Sequence, residues 1–190
     1  MLADHTGRPR PTVPMPLSYE QARLGMAFHE AGHAVLAMAY GMRVTVTEVL
    51  AWSDEHGFWH VTGHTATQAD TIHPWRFAAQ SAAGTIAQVQ YLMAYGLWTP
   101  ETAAACEAEH DREYAIDTLA QYGHRLGRDH TPRGGKSWST AQGMARRKTG
   151  HLWREIRTVA HAIDEHTMLT GEDITALTGL VLPFKRGAAR

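Results

Sequence analysis

One helix-forming stretch restricts this chain more than anything else in it, because it must be buried and must also present two histidines to a common point. Ser18 stands as an N-cap with Gln21 three residues on, the two halves of a capping box. Leu24, Phe28, Ala31, Val35, Met38 and Ala39 then recur at helical spacing, and Gly41 supplies the stop. Inside this stretch lies Phe28-His29-Glu30-Ala31-Gly32-His33, a His-Glu-x-x-His pattern. A four-residue spacing sets the imidazoles of His29 and His33 on one helix face, one turn apart, where two ring nitrogens can meet one ion. Glu30 is rotated from His29 by ~100°, so it can flank that ion without binding it and accept a proton from an activated water. Apolar neighbours on both sides predict a buried helix rather than a solvated one. Gly32 costs a helix roughly 1 kcal/mol relative to Ala, which makes sense where something approaches the backbone closely.

A catalytic zinc takes three protein ligands and keeps a fourth position open. His29 and His33 provide two, and no short-range completion follows His33. The third ligand must come from far along the chain. The acidic run Glu107-Ala108-Glu109-His110-Asp111 is the best supplier, with Glu107, Glu109, His110 and Asp111 all open as donors.

Around this helix the pattern predicts an α+β, mainly α fold with a small hairpin or sheet. Residues 43–50 are rich in Val and Thr, and the turn-prone residues 53–57 lead into an alternating stretch over 58–64, which together predict a hairpin. Pro74 opens a second helix running to Tyr95, with Gly96 as its stop. Thr99-Pro100 starts another helical region that reaches about Leu126, with a break near residues 107–110. Gly127, Pro132, Gly134 and Gly135 punctuate a loop, a long amphipathic helix is predicted from Thr140 to Glu165, and a short last helix starts at Thr170 with Asp173 in the box position. Gly134-Gly135-Lys136-Ser137 has the ending of a phosphate loop, but His130 stands where the required first glycine belongs, so a flexible loop is expected there.

Composition narrows the function classes. In 190 residues, 44% are apolar and 19% charged, with a formal net charge of −1. That suits a globular domain and argues against a broadly basic nucleic-acid binder. Cys106 is the lone cysteine, so no internal disulfide can form and a reducing compartment is compatible. No window is long and apolar enough for a membrane span, and no signal peptide is evident, so no membrane contact and a cytoplasmic location are expected. Residues 1–17, rich in proline, are expected to be a disordered arm, residues 18–182 the folded domain, and residues 183–190 a flexible basic tail.

The landmarks, taken in order, resemble the peptidase domain of FtsH-type membrane proteases. His29-Glu30-Ala31-Gly32-His33-Ala34 is similar to that family's zinc helix, and residues 43–64 to its substrate-side strands. Residues 82–88 resemble its small-residue helix, where the family usually has a second Gly, an Arg and a Glu; here Thr85 and Gln88 depart from that pattern. His110-Asp111-Arg112-Glu113-Tyr114-Ala115 resembles the segment whose Asp is the family's third zinc ligand, which carries over onto Asp111. The usual Thr-Gly-Ala lead-in is replaced by residues 106–109, which keeps Glu107, Glu109 and His110 as substitutes. Residues 169–174 resemble the opening of the family's last helix.

The resemblance implies a Zn2+-dependent metallopeptidase with His29, His33 and Asp111 as ligands, Glu30 as catalytic base and polypeptide as substrate. The family's ATPase and membrane parts have no counterpart in these residues. The expected activity is therefore hydrolysis of flexible or unfolded chains, independent of ATP, with a homo-oligomer or an ATPase partner in trans left open. The alternative is a catalytically weak zinc-binding domain that serves as an interaction or assembly module. Residues 58–62 are the candidate strand edge for pairing with substrate, with Phe58 or Trp59 biasing it toward apolar side chains or else belonging to the core.

Overall fold

The computed structural model describes residues 6–8, 16–69, 71–106 and 109–181. Most of the expected N-terminal arm and all of the expected C-terminal tail lie outside them. The described residues are mainly helical with a small antiparallel sheet, the α+β, mainly α architecture that the periodicities imply.

Helix α1 (Tyr19–Ala39) starts at Ser18 with both capping-box bonds in place, and Gly41, at φ +84°, turns the chain after it. From Ala27 to Met38 every residue of α1 is buried, so this helix is the axis of the core. Helices α3 (Ala83–Ala94) and α7 (Trp153–His166) and the sheet formed by β1 (Arg43–Ser53) and β2 (Trp59–Gln68) pack around it. Phe28 anchors one side, with its ring centroid 4.9 Å from Tyr91 and 5.2 Å from Trp153. Gly32 has the close neighbour its helix cost suggests: a Cβ there would come within 2.7 Å of the Ala83 carbonyl oxygen and 2.8 Å of the Ala87 methyl. The group pressed against it is helix α3, and the two helices lie in direct backbone contact.

The hairpin is longer than the alternation predicts, and β1 also pairs on its other side with β5 (Met168–Thr170), giving the order β2-β1-β5. Three residues are too few to carry a period, so β5 escapes a pattern reading. Strand β2 pairs only with β1 among the described residues, which leaves its outer edge free. Phe58 and Trp59 are exposed at 69% and 56%, so neither belongs to the core, although Trp59 leans on Tyr19.

Each of the two long helices predicted for the middle and end of the chain is two. Pro74 does open a helix, but α2 (Pro74–Ser81) ends where the Ser81 hydroxyl bonds back to the Phe77 carbonyl, a bond that bends helices, and α3 begins after Ala82. The stretch predicted over 140–165 breaks at Leu152 into α6 (Trp138–His151) and α7, just after Gly150, a weak helix former. The region opened by Thr99-Pro100 contains α4 (Pro100–Ala105) and α5 (Glu109–Gln121), and Gly123 at φ +77° ends it before Leu126. Leu126–Gly127 (β3) then pairs in parallel with Lys136–Ser137 (β4), and the Ser137 hydroxyl caps α6. The phosphate-loop look-alike is thus a strand and a helix cap. Thr170 caps α8 (Gly171–Thr178) with Asp173 in its box, as expected. No helix of the described residues is long and apolar enough to cross a membrane.

Candidate metal centre

Helix α1 presents His29 and His33 toward the start of α5, and Asp111 meets them there. His29 Nε2 and His33 Nε2 are 3.1 Å apart, and each is 3.1 Å from Asp111 Oδ2. Among the described residues this is the one group of three metal-binding side chains brought together. The other candidate donors divide clearly. Glu109 points to solvent and pairs with Arg112 at 3.4 Å. His110 stands behind the set, with its Nε2 3.0 Å from Asp111 Oδ1, so it leaves Oδ2 as the oxygen facing the imidazoles. Glu107 lies outside the described residues.

The far side of each ring fixes which nitrogen faces the site. His33 Nδ1 lies 2.9 Å from the Gln80 carbonyl oxygen, which can only accept, so Nδ1 carries the proton. His29 Nδ1 donates in the same way to Gln88 Oε1 at 3.2 Å. Both Nε2 atoms therefore turn lone pairs toward the carboxylate, the arrangement that orients histidine ligands in metal sites. Three acceptors converging at 3.1 Å repel one another unless a cation sits among them. Bonds of ~2.0–2.1 Å to a tetrahedral zinc separate its ligand atoms by roughly 3.3–3.4 Å, close to the spacing present. Space is also reserved: a Cβ on Gly84 would collide with both Nε2 atoms, and no other residue type would leave that volume open.

In the metal-free protein a proton substitutes for the cation. Burial works against charge on His33, but the Asp111 carboxylate, its hydrogen bond and the charge of Glu30 outweigh it and raise the pKa to about 9. At Asp111 burial acts upward, and the His33 charge together with bonds from His110, His29 and His33 reverses it, holding the carboxyl well below the usual carboxylate range. A metal must therefore displace the His33 proton at neutral pH. Affinity should rise about tenfold per pH unit below about pH 9 and level off above it, with roughly one proton released per ion at neutral pH. Titration calorimetry in buffers of different ionisation enthalpy measures that proton. An enthalpy independent of buffer would contradict it.

Glu30 is 4% exposed. Its Oε2 accepts a 2.6 Å hydrogen bond from the Thr65 hydroxyl on β2, and a Cβ on Gly63 would strike the same carboxylate. Of the residues behind the site, Gln88 is marked in the sequence only as a departure from the FtsH-type pattern, and Gln80 and Thr65 carry no such mark. Gln88 follows Gly84 by one helical turn on α3, and Thr65 follows Gly63 by one strand period, so each lies on the face its glycine opens toward the site. Thr85, the other departure from the FtsH-type pattern, uses its hydroxyl to bond the Cys106 carbonyl at 3.2 Å and so ties α3 to the end of α4. No protein-family model matches this chain, and no curated protein matches it either.

Proposed function

We propose that this chain is a zinc-dependent endopeptidase that hydrolyses peptide bonds in flexible or unfolded polypeptide, similar in its site to the FtsH-type peptidase domain. The observation that carries the reading is the convergence of His29, His33 and Asp111 on one point, with the buried Glu30 carboxylate on the same helix. A structural metal needs no base at its side, and burying an unused carboxylate is costly. His29, His33 and Asp111 would hold the ion. Zinc so held supplies Lewis-acid polarisation of a carbonyl and a water made acidic enough to attack near neutral pH. Glu30 takes the proton of that water as its oxygen adds to the carbonyl carbon, then delivers it to the amine nitrogen as the C–N bond breaks.

Substrate enters extended. Strand β2 has a free edge and passes Glu30 at Gly63 and Thr65, so a chain paired along that edge runs beside the base. Edge pairing demands an unfolded stretch, and nothing in the proposed site binds a nucleotide. Zinc-loaded protein should therefore cleave a permanently unfolded substrate, spare the same protein in its native form, and ignore added ATP. Equal cleavage of both forms would overturn the requirement for an open chain. No cleavage of either would replace the peptidase reading with a zinc-binding interaction module.

A further inference from the structure

Glu30 sits in a seat built by two strands. Thr65 and Thr47 are paired across β2 and β1, and both turn toward α1. The Thr65 hydroxyl is 2.6 Å from Glu30 Oε2, and Thr47 Oγ1 is 2.8 Å from Thr65 Oγ1. The Thr65 hydroxyl has one proton and two acceptors on Glu30, Oε2 at 2.6 Å and the main-chain carbonyl oxygen at 3.3 Å, so its proton goes to Glu30 and Thr47 donates to Thr65. Thr47 is fully buried, and Thr65 is its one hydroxyl partner among the described residues. Below the carboxylate Gly63 leaves the volume that any side chain would fill. Thr65 supplies the only hydrogen bond to the Glu30 carboxylate from the described residues, and it engages one oxygen, leaving the other for the reacting water.

We propose that Thr65, with its hydroxyl rotor fixed by Thr47, is the positioning residue for Glu30. It rests on the reading of Glu30 as the base. A base earns its rate from placement, and a displacement of about 1 Å can cost ~10²-fold. Without the Thr65 hydroxyl the buried carboxylate has no protein donor to hold its rotamer, whereas the metal set, backed by Gln80, Gln88 and His110, is untouched.

Two measurements on the full chain test this. In the first, zinc-loaded Thr65→Val should lose about 10–100-fold in kcat with KM and zinc content unchanged, Thr65→Ser should restore most of it, and Thr47→Val should lose less than Thr65→Val. An unchanged kcat in Thr65→Val, or a loss that Thr65→Ser does not repair, would overturn the proposal. The second needs no activity. Urea midpoints of metal-free protein are compared for Thr65→Val in the wild-type and Glu30→Ala backgrounds. The midpoint should fall in both, because the buried Thr47 hydroxyl loses its partner in each, and fall further in the first, where a buried carboxylate also loses its donor. Equal falls in both would show that the hydroxyl does not hold Glu30. Should the wild type prove unable to hydrolyse peptide, the peptidase reading fails by itself, and the midpoints still decide whether Thr65 seats the carboxylate.

Discussion

Glu30→Gln protein should keep one zinc per chain and lose peptide hydrolysis by ~10²–10⁴-fold or more, the range that general base catalysis spans. The substitution is close to isosteric, so the helix and its packing stay as they are. Gln can still accept the Thr65 hydrogen bond through its carboxamide oxygen, so the side chain keeps its seat. What it lacks is basicity: an amide cannot take the proton of the attacking water or deliver it to the leaving amine. His29, His33 and Asp111 make no bond to the Glu30 side chain, so zinc content should stay near the wild-type value. Elemental analysis beside a fluorogenic unfolded substrate reads both quantities on one preparation. Hydrolysis at wild-type rates by a zinc-loaded variant would remove Glu30 from the chemistry, and loss of the metal would make it part of the ligand set.

The second large effect comes from a residue with no side chain. Gly84→Ala should empty the metal centre, because the new methyl falls on top of His29 Nε2 and His33 Nε2. The backbone gives no reason for this glycine. Gly84 lies inside α3 with no positive φ, and in a helix Ala is favoured over Gly by roughly 1 kcal/mol. On propensity alone the change would stabilise the protein. The expected result is therefore a helical protein whose zinc affinity has dropped by more than the ~10–100-fold typical of losing a partner behind a ligand. Circular dichroism with zinc titration separates the two effects. A variant that binds zinc as the wild type does would mean that the imidazoles meet the ion elsewhere than beside Gly84.

Both predictions rest on contacts that a linear reading reaches only in part. Ser18 with Gln21 and Thr170 with Asp173 are capping boxes because their partners are three residues apart, and a helix start of that kind is decided within one turn. The common face of His29 and His33 is equally local, since the helix repeat alone sets it. The hairpin follows from alternation, and the free edge of β2 does not, because it depends on where β5 goes. The breaks at Ala82 and Leu152 fall inside stretches of continuous helical pattern, where a hydroxyl bonding back to the chain or a glycine decides what the apolar spacing cannot.

The third ligand marks the boundary most clearly. Glu109, His110 and Asp111 are consecutive and all able to bind a metal, so spacing ranks none above the others, and only resemblance favours Asp111. Successive helix positions differ by ~100°, and the packing of α5 against α2 turns Asp111 toward α1 while Glu109 faces solvent and His110 falls behind. Gln80, Gln88 and Thr65 likewise acquire their roles 47, 59 and 35 residues away from the His33, His29 and Glu30 groups they serve, and Gly84 acquires its role from another helix. The shared face of His29 and His33, the caps of their helix and the place of Glu30 beside them are legible from the chain alone, because those depend on neighbours within a turn. Which carboxylate completes the site, what holds each imidazole and what seats Glu30 were decided by tertiary packing, since each needs two or more elements at a set distance and angle that no local repeat encodes.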